Sequence, residues 1–348
     1  MSPYILFILL FALGLGTTVT FASTHWLLAW MGLEINTLAI LPLMAQRHHP
    51  RAVEATTKYF LTQAAAAATL FFAATTNAWM TGQWAIDMTT HPAALTIMLA
   101  ALSLKVGLAP LHTWLPEVLQ GLDLTTGLIL STWQKLAPFV LLLQLPLHNQ
   151  TPLVIIGLLS AVIGGWGGLN QTQLRKILAY SSIAHLGWML VVIQFAPNLT
   201  ALALATYLAM TSALFLSLRA TAATTIASLS TTWAKTPLLT ALLPLTLLSL
   251  GGLPPLTGFL PKWMILQQLT AQGLPLTATI IAMAALLSLY FYLRLSYAIT
   301  LTISPNTGPG SAPWRLPSPR TFFLLPAATS LSLLILPLAP AISASVHL

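Results

Sequence analysis

Residues 107–117 read Gly-Leu-Ala-Pro-Leu-His-Thr-Trp-Leu-Pro-Glu, and residues 252–262 read Gly-Leu-Pro-Pro-Leu-Thr-Gly-Phe-Leu-Pro-Lys. Six of the eleven positions are identical at a constant offset of 145, among them the glycine and two prolines. Each copy lies inside an unusually long apolar run, 93–120 and 237–270. Proline has no amide proton and clashes with the carbonyl of the preceding turn, so both runs are expected to be helices broken at their centres. A break inside a membrane frees carbonyls that need polar partners or water, which places it against a hydrated cavity.

The rest of the chain sets that pair in an all-α membrane protein. Of 348 residues, 57% are hydrophobic and 5% are charged. A soluble domain carries about 25% charged residues. The mean hydropathy of +0.86 agrees. Long apolar runs without strand-length alternation indicate spanning helices and not a barrel. At about 20 residues per span, eleven helices are expected, near 3–21, 25–44, 57–79, 93–120, 124–145, 151–168, 174–195, 199–218, 237–270, 274–303 and 322–344. Loops are short and no linker separates a second domain, so residues 1–348 are expected to form a single transmembrane domain. The first basic residue is Arg47, so residues 1–21 lack the charged region that opens a signal peptide and are expected to be the first span.

Loop charge tests the topology. The loops after spans 2, 6, 8 and 10 hold Arg47, Arg51, Arg175, Lys176, Arg219, Lys235, Arg315 and Arg320, and the loops after spans 1, 3, 5, 7 and 9 hold no Lys or Arg. The positive-inside rule puts the basic side, with the N-terminus, in the cytosol or matrix and the C-terminus opposite. Orientation also accounts for the net charge of +8. No basic patch on a polar background suggests nucleic acid. The two quoted copies fall on spans 4 and 9 and therefore cross in opposite directions. That is the signature of an inverted repeat with a broken helix in each half.

An ionisable side chain at mid-span costs about 2.5–3.5 kcal/mol on insertion scales, which marks it as functional by default. Glu34, Lys105, Lys135 and Lys262 stand out. Lys105 precedes the first break, Lys262 follows the second, Lys135 lies near the middle of span 5, and Glu34 is the one mid-span carboxylate. A lysine that gains and loses a carboxylate partner becomes a proton donor and acceptor in turn. Several in line make a relay. Lys58, near a helix end beside Glu54, reads as a structural pair. His112 and His185 also fall within spans, as candidate shuttles or as interhelical hydrogen-bonding groups. The remaining histidines show no metal-ligand spacing. The chain has no cysteine. This excludes iron–sulfur ligation, c-type haem attachment, thiol catalysis and disulfides. Gly164-Gly165-Trp166-Gly167-Gly168 follows no strand, fails the dinucleotide pattern and reads as close helix packing.

Three segments together resemble a known family. They are Trp30-Met31-Gly32-Leu33-Glu34, Lys105 with the motif 107–117, and Leu174-Arg175-Lys176-Ile177-Leu178-Ala179-Tyr180-Ser181-Ser182-Ile183-Ala184-His185-Leu186-Gly187. The sequence is similar, over nearly its whole length, to the antiporter-like subunits of respiratory complex I, the proton-translocating NADH:ubiquinone oxidoreductase. The eleven spans resemble the animal mitochondrial form, which lacks the first three of the fourteen helices of bacterial relatives. The resemblance implies a Glu34–Lys105 pair, Lys135 as the linking lysine and Lys262 as the second broken-helix lysine along a buried hydrated axis. It implies no redox centre on this chain, with NADH, FMN, iron–sulfur clusters and ubiquinone on other subunits. The implied partners are other core and accessory membrane subunits and membrane lipids. The implied location is the mitochondrial inner membrane, with the N-terminus in the matrix and the C-terminus in the intermembrane space. Residues 263–348 carry only Arg294, Arg315 and Arg320, and so offer no relay charge beyond Lys262.

Two rival readings remain at this level. A stand-alone cation/proton antiporter subunit would share the repeat and the buried charges. A passive scaffold would use them only to hold helices together. Copurification with flavin and iron–sulfur proteins separates the first rival, and pumping by charge mutants separates the second.

Overall fold

The computed structural model describes residues 2–46, 48–146, 151–234, 236–302 and 324–340. Arg47, Lys235, Arg315 and Arg320, on which part of the loop-charge expectation rests, lie outside the described residues, as do parts of the eleventh expected span. The described chain forms two compact units, Met1–Ile156 and Gly157–Leu348.

The first unit contains α1 (Pro3–Ala22), α2 (Trp26–Met44), α3 (Pro50–Thr81), α4 (Pro92–Val106), α5 (Trp114–Gly121), α6 (Leu124–Ser131), α7 (Trp133–Gln144) and the start of α8 (Thr151–Gly168). α1 lies on α2, while α3 packs on α2, α4 and α5, and α7 on α1, α2, α4 and α6. Ile40, Leu70, Met98, Leu102, Leu115 and Phe139 fill its core. The second unit takes most of α8 and adds α9 (Leu174–Val192), α10 (Pro197–Thr221), α11 (Ile226–Ser230), α12 (Pro237–Gly251), α13 (Phe259–Ala271), α14 (Pro275–Thr300) and α15 (Leu324–Leu334). Its core is built on Tyr207, Phe215, Leu250, Leu269, Phe291 and Tyr292.

Among the described residues, six helices begin on a proline, at residues 3, 50, 92, 197, 237 and 275. The first helical position has no intrahelical use for an amide proton, and proline's fixed φ already suits the helix. Among the described residues, six spans are long and apolar enough to cross a membrane: Pro3–Ala22, Trp26–Met44, Leu124–Gln144, Thr151–Gly168, Pro197–Thr221 and Pro275–Thr300. Tyr4, Phe7, Phe11, Leu238 and Leu276 point outward, as expected of helices solvated by lipid or covered by other membrane chains.

The expected spans at 93–120 and 237–270 are each two helices. α4 and α5 are separated at 107–113, and α12 and α13 at 252–258. Both first halves end on a left-handed glycine, Gly107 at φ 85° and Gly252 at φ 78°. In both, the next residue folds back: Leu108 N–H donates to Ser103 O (2.9 Å), and Leu253 N–H to Leu248 O (3.3 Å). These six-to-one bonds satisfy carbonyls that the helix end leaves open. The Ala109–Pro110 and Pro254–Pro255 bonds are cis.

Boundaries differ from the sequence expectation at several places; within 322–344, for instance, an α-helix runs only over Leu324–Leu334 before a short 3-10 turn at Leu336–Leu338. The span expected at 124–145 is interrupted at Thr132, which has φ −111° and ψ −70° and separates α6 from α7. The Thr132 hydroxyl also bonds Leu128 O at 2.7 Å, and Pro138 inside α7 can give no amide proton to the turn before it. α3 begins at Pro50 and not at 57, because His49 caps it by accepting from Arg51 N–H. Its first three turns carry Arg51, Glu54 and Lys58, a polar stretch that a hydropathy window does not register.

Candidate functional site

In the first unit, Lys105 stands in the last turn of α4. A helix C-terminus carries partial negative charge and favours a cation there. The carbonyls at this end are occupied by neutral donors. The Trp114 indole, at the start of α5, donates to Leu104 O at 3.0 Å, and the Gln63 amide of α3 donates to Lys105 O at 3.4 Å. The Lys105 ammonium is thereby left to its side-chain surroundings. Its Nζ lies 3.9 Å from Oε1 of Glu34 on α2. The lysine side chain is 2% exposed and the glutamate 26%. Neither Lys105 Nζ nor Glu34 Oε1 has a hydrogen-bond partner among the described residues. The other carboxylate oxygen of Glu34 accepts from the Thr37 hydroxyl at 3.2 Å. At this separation the two groups attract as charges without a direct proton bridge, an arrangement suited to biasing one by the other.

Lys135 is buried in the first turn of α7, immediately after the Thr132 interruption. It lines the same small cavity as Lys105, together with Asn36, Tyr59, Gln63 and Gln134. About 20 Å³ of that cavity is open to the centres of water molecules. One water needs roughly 10–15 Å³ by this measure and two to four polar partners. The structure therefore brings Lys105 and Lys135 to one cavity of one-water size, and Glu34 stands beside Lys105 without lining that cavity. His112 is not among the residues lining it. It sits half-buried in the segment between α4 and α5, with Nδ1 3.2 Å from Pro110 O.

In the second unit, Lys262 lies in the first turn of α13, yet its side chain reaches back across the break. Nζ donates to Gly251 O, the last residue of α12, at 2.7 Å. The ammonium also lies 5.8 Å from the centroid of the Trp188 ring, within cation–π range. Gly252 makes this reach feasible, since a Cβ there would sit 2.7 Å from Lys262 Cδ. Among the described residues no carboxylate lies within ion-pair distance of Lys262. A second cavity of about 20 Å³ is lined by Lys262, His185, Trp188, Thr206 and neighbours. His185 Nε2 is 3.5 Å from the Tyr292 hydroxyl, and its ring packs on Tyr207. Of the two candidate histidines, His185 is the one placed beside a candidate lysine.

The two breaks thus solve one problem differently. In α4 the open carbonyls take an indole and an amide; in α12 the carbonyl takes the lysine itself. Sequence reading located the four charged residues and missed Asn36, Gln63, Trp114 and Trp188, which are neutral. It also missed Glu117, which pairs with Lys58 at 2.7 Å while Lys58 holds Glu54 at 2.9 Å. The Lys58 ammonium holds the Glu54 carboxyl below its usual range. Among the described residues no three His, Cys, Asp or Glu side chains converge as a metal site.

Residues 23–288 match the family described as NADH:quinone oxidoreductase/Mrp antiporter, transmembrane. The chain belongs to the NADH:quinone oxidoreductase/Mrp antiporter family. Residues 289–343 match the NADH dehydrogenase subunit 2 C-terminus. NADH-ubiquinone oxidoreductase chain 2 of Tetraodon nigroviridis is 68% identical, with 98% of each chain covered. The chain of the same description from Oncorhynchus mykiss is 65% identical over the full length of both. Among solved structures, a chain of respiratory complex I from Thermus thermophilus with bound aureothin superposes with a TM-score of 0.85 at 27% identity, covering all of this chain and 80% of that one. A chain of the Mrp complex from Dietzia sp. DQ12-45-1b gives 0.80 at 18% identity, covering 97% and 75%, a likeness of fold alone.

Proposed function

We propose that this chain, an antiporter-like membrane subunit of complex I, moves protons through Glu34, Lys105, Lys135 and Lys262, driven by NADH:ubiquinone oxidoreduction elsewhere in the complex. The observation that carries the proposal is the Glu34–Lys105 pair at 3.9 Å, set at the end of a broken helix and beside a cavity that Lys135 also lines. A displacement of Glu34 by an ångström or two changes the field at Lys105 strongly, because little solvent screens the pair. The lysine then alternates between holding its proton and passing it on. A direct transfer needs about 2.6–3.2 Å or one bridging water. His185 serves at the Lys262 cavity, and His112 is the weaker candidate shuttle.

In this reading the 348 residues act as one antiporter-like transmembrane domain of eleven spans, with α4–α5 and α12–α13 as the broken helices of an inverted repeat. The close correspondence of the two sequence motifs and their glycine caps supports it. NADH, FMN, the iron–sulfur clusters and ubiquinone are bound by other subunits, and the chain's neighbours are core and accessory membrane subunits and lipids. The chain resides in the mitochondrial inner membrane with its N-terminus in the matrix and its C-terminus in the intermembrane space, as the loop charges and the vertebrate relatives suggest. Lys135→Met tests the proposal, since it keeps an apolar stem and deletes the titratable group. The assembled variant enzyme should pump fewer protons per electron and reduce quinone more slowly. A wild-type ratio and rate would make Lys135 a structural residue and refute the relay.

A further inference from the structure

We infer that the Asn36 carboxamide is a positioning residue that holds a water between Lys105 and Lys135. The inference rests on the relay reading above and adds to it a neutral group.

Asn36 lies two residues after Glu34 on α2 and is 2% exposed. Neither its Nδ2 nor its Oδ1 has a hydrogen-bond partner among the described residues. An amide in an apolar interior is costly unless its donors and acceptor are met, so such a pair of unmet atoms points to a polar occupant. Asn36 lines the cavity shared by Lys105 and Lys135, and that cavity has room for a water. Lys105 Nζ, also without a hydrogen-bond partner, offers the water a further contact. The position of the amide is set from outside. Gln134, next to Lys135, donates to Asn36 O at 3.2 Å, which ties this turn of α2 to α7. Gly16 of α1 backs the side chain so closely that a Cβ there would lie 2.6 Å from Asn36 Oδ1.

Asn36 has no proton to lose in this range and takes no part as an acid or base. It accepts from the water and donates to it. As the Lys105 ammonium gives a proton to the water oxygen, one of the water's own protons passes to the Lys135 amine. Water is regenerated, and one positive charge has moved from one lysine to the other.

The test uses the assembled enzyme and measures coupled quinone reduction, protons pumped per electron and the solvent deuterium effect. Asn36→Leu keeps the branched shape and removes the hydrogen bonds. It should slow coupled turnover at least about tenfold and enlarge the deuterium effect, with NADH oxidation by an artificial acceptor unchanged. Asn36→Ser restores a water-binding hydroxyl and should recover at least half of the rate. Gly16→Ala, whose Cβ would press on the amide and also lie 2.9 Å from Gly32 O of α2, should also slow turnover. Should the leucine variant fail to assemble, a fast Asn36→Ser enzyme together with a slow Gly16→Ala enzyme supports the inference, and any other combination overturns it. A leucine variant with wild-type rate and isotope effect, or a serine variant as slow as leucine, overturns it as well. Lys135→Met measured alongside separates the two claims. If it is impaired while Asn36→Leu is normal, only the role of Asn36 fails; if both are normal, the relay fails.

Discussion

Replacing Gly252 by alanine should unseat Lys262. Gly252 has φ 78°, a left-handed conformation in which an L side chain costs about 1–2 kcal/mol. The added Cβ would also lie 2.7 Å from Lys262 Cδ and 3.0 Å from its Nζ, well inside normal carbon contact. The lysine stem is flexible and is the part that gives way, so its 2.7 Å bond to Gly251 O is lost. A charge-assisted hydrogen bond of this kind contributes about 1.5–3 kcal/mol. Together these shift the local equilibrium away from the seated lysine by at least about tenfold, since every 1.4 kcal/mol is a factor of ten. The assay is proton pumping per electron in the assembled enzyme, with its abundance in membranes as control. Gly252→Asn separates the two causes, because asparagine tolerates the left-handed backbone but still carries a Cβ. Reduced pumping in both variants is expected. Normal pumping and abundance in Gly252→Ala would show that neither the glycine nor the lysine's reach across the break matters. A defect in alanine that asparagine fully repairs would leave only the backbone argument standing.

Glu34→Gln keeps the shape and removes the charge beside Lys105; it should leave assembly intact while lowering pumping more than the exchange of an exposed acid such as Glu54→Gln, read in the same assay. Trp114→Phe deletes the indole donor to Leu104 O and leaves that part-buried carbonyl unmet, which should destabilise the first break by about 1–3 kcal/mol at most, seen as lower enzyme abundance on mild heating of membranes. Gly164→Leu should block assembly, because a Cβ at 164 would lie 2.6 Å from the Ala184 backbone nitrogen of α9, which cannot yield as a side chain can; normal enzyme levels would contradict the close α8–α9 packing.

The parts of the fold that sequence exposes are those where chemistry has few options. Gly107 and Gly252 cap helices in the left-handed conformation, and prolines follow each within three residues, so the breaks are legible from composition and spacing. A charge in a long apolar run is equally conspicuous, which is why Glu34 and the three lysines stand out. The glycine cluster at 164–168 reads as packing for the same reason, and Gly164, Gly165 and Gly168 do meet Ala184, Leu287 and Phe291 at close range. What stays hidden is neutral or non-local. Asn36 is one polar residue among many in apolar helices, and only its burial without partners distinguishes it. The interruption at Thr132 leaves total hydropathy unchanged, so a length criterion sees one span. The start of α3 at Pro50 is a capping event on a polar helix. Trp188 meets Lys262 from more than seventy positions away in sequence.

Lys262 stands at the position that matches Glu117 in the first motif, and the position matching Lys105 is Leu250, fully enclosed in the second unit. The duplicated motif therefore copies an architecture of interruption without copying the address of the charge. Each lysine arrives at its break from a different side, one ahead of it along the chain and one behind. A graft that moved the first motif wholesale into the second position would deliver a glutamate where the ammonium now bridges α12 and α13, and would strand Gly251 O opposite an acid. Interchange of the two segments is thus forbidden by electrostatics even though their backbones match. A protein engineer seeking to transplant function between such halves would have to move the charge and its neutral carbonyl donors together as one unit.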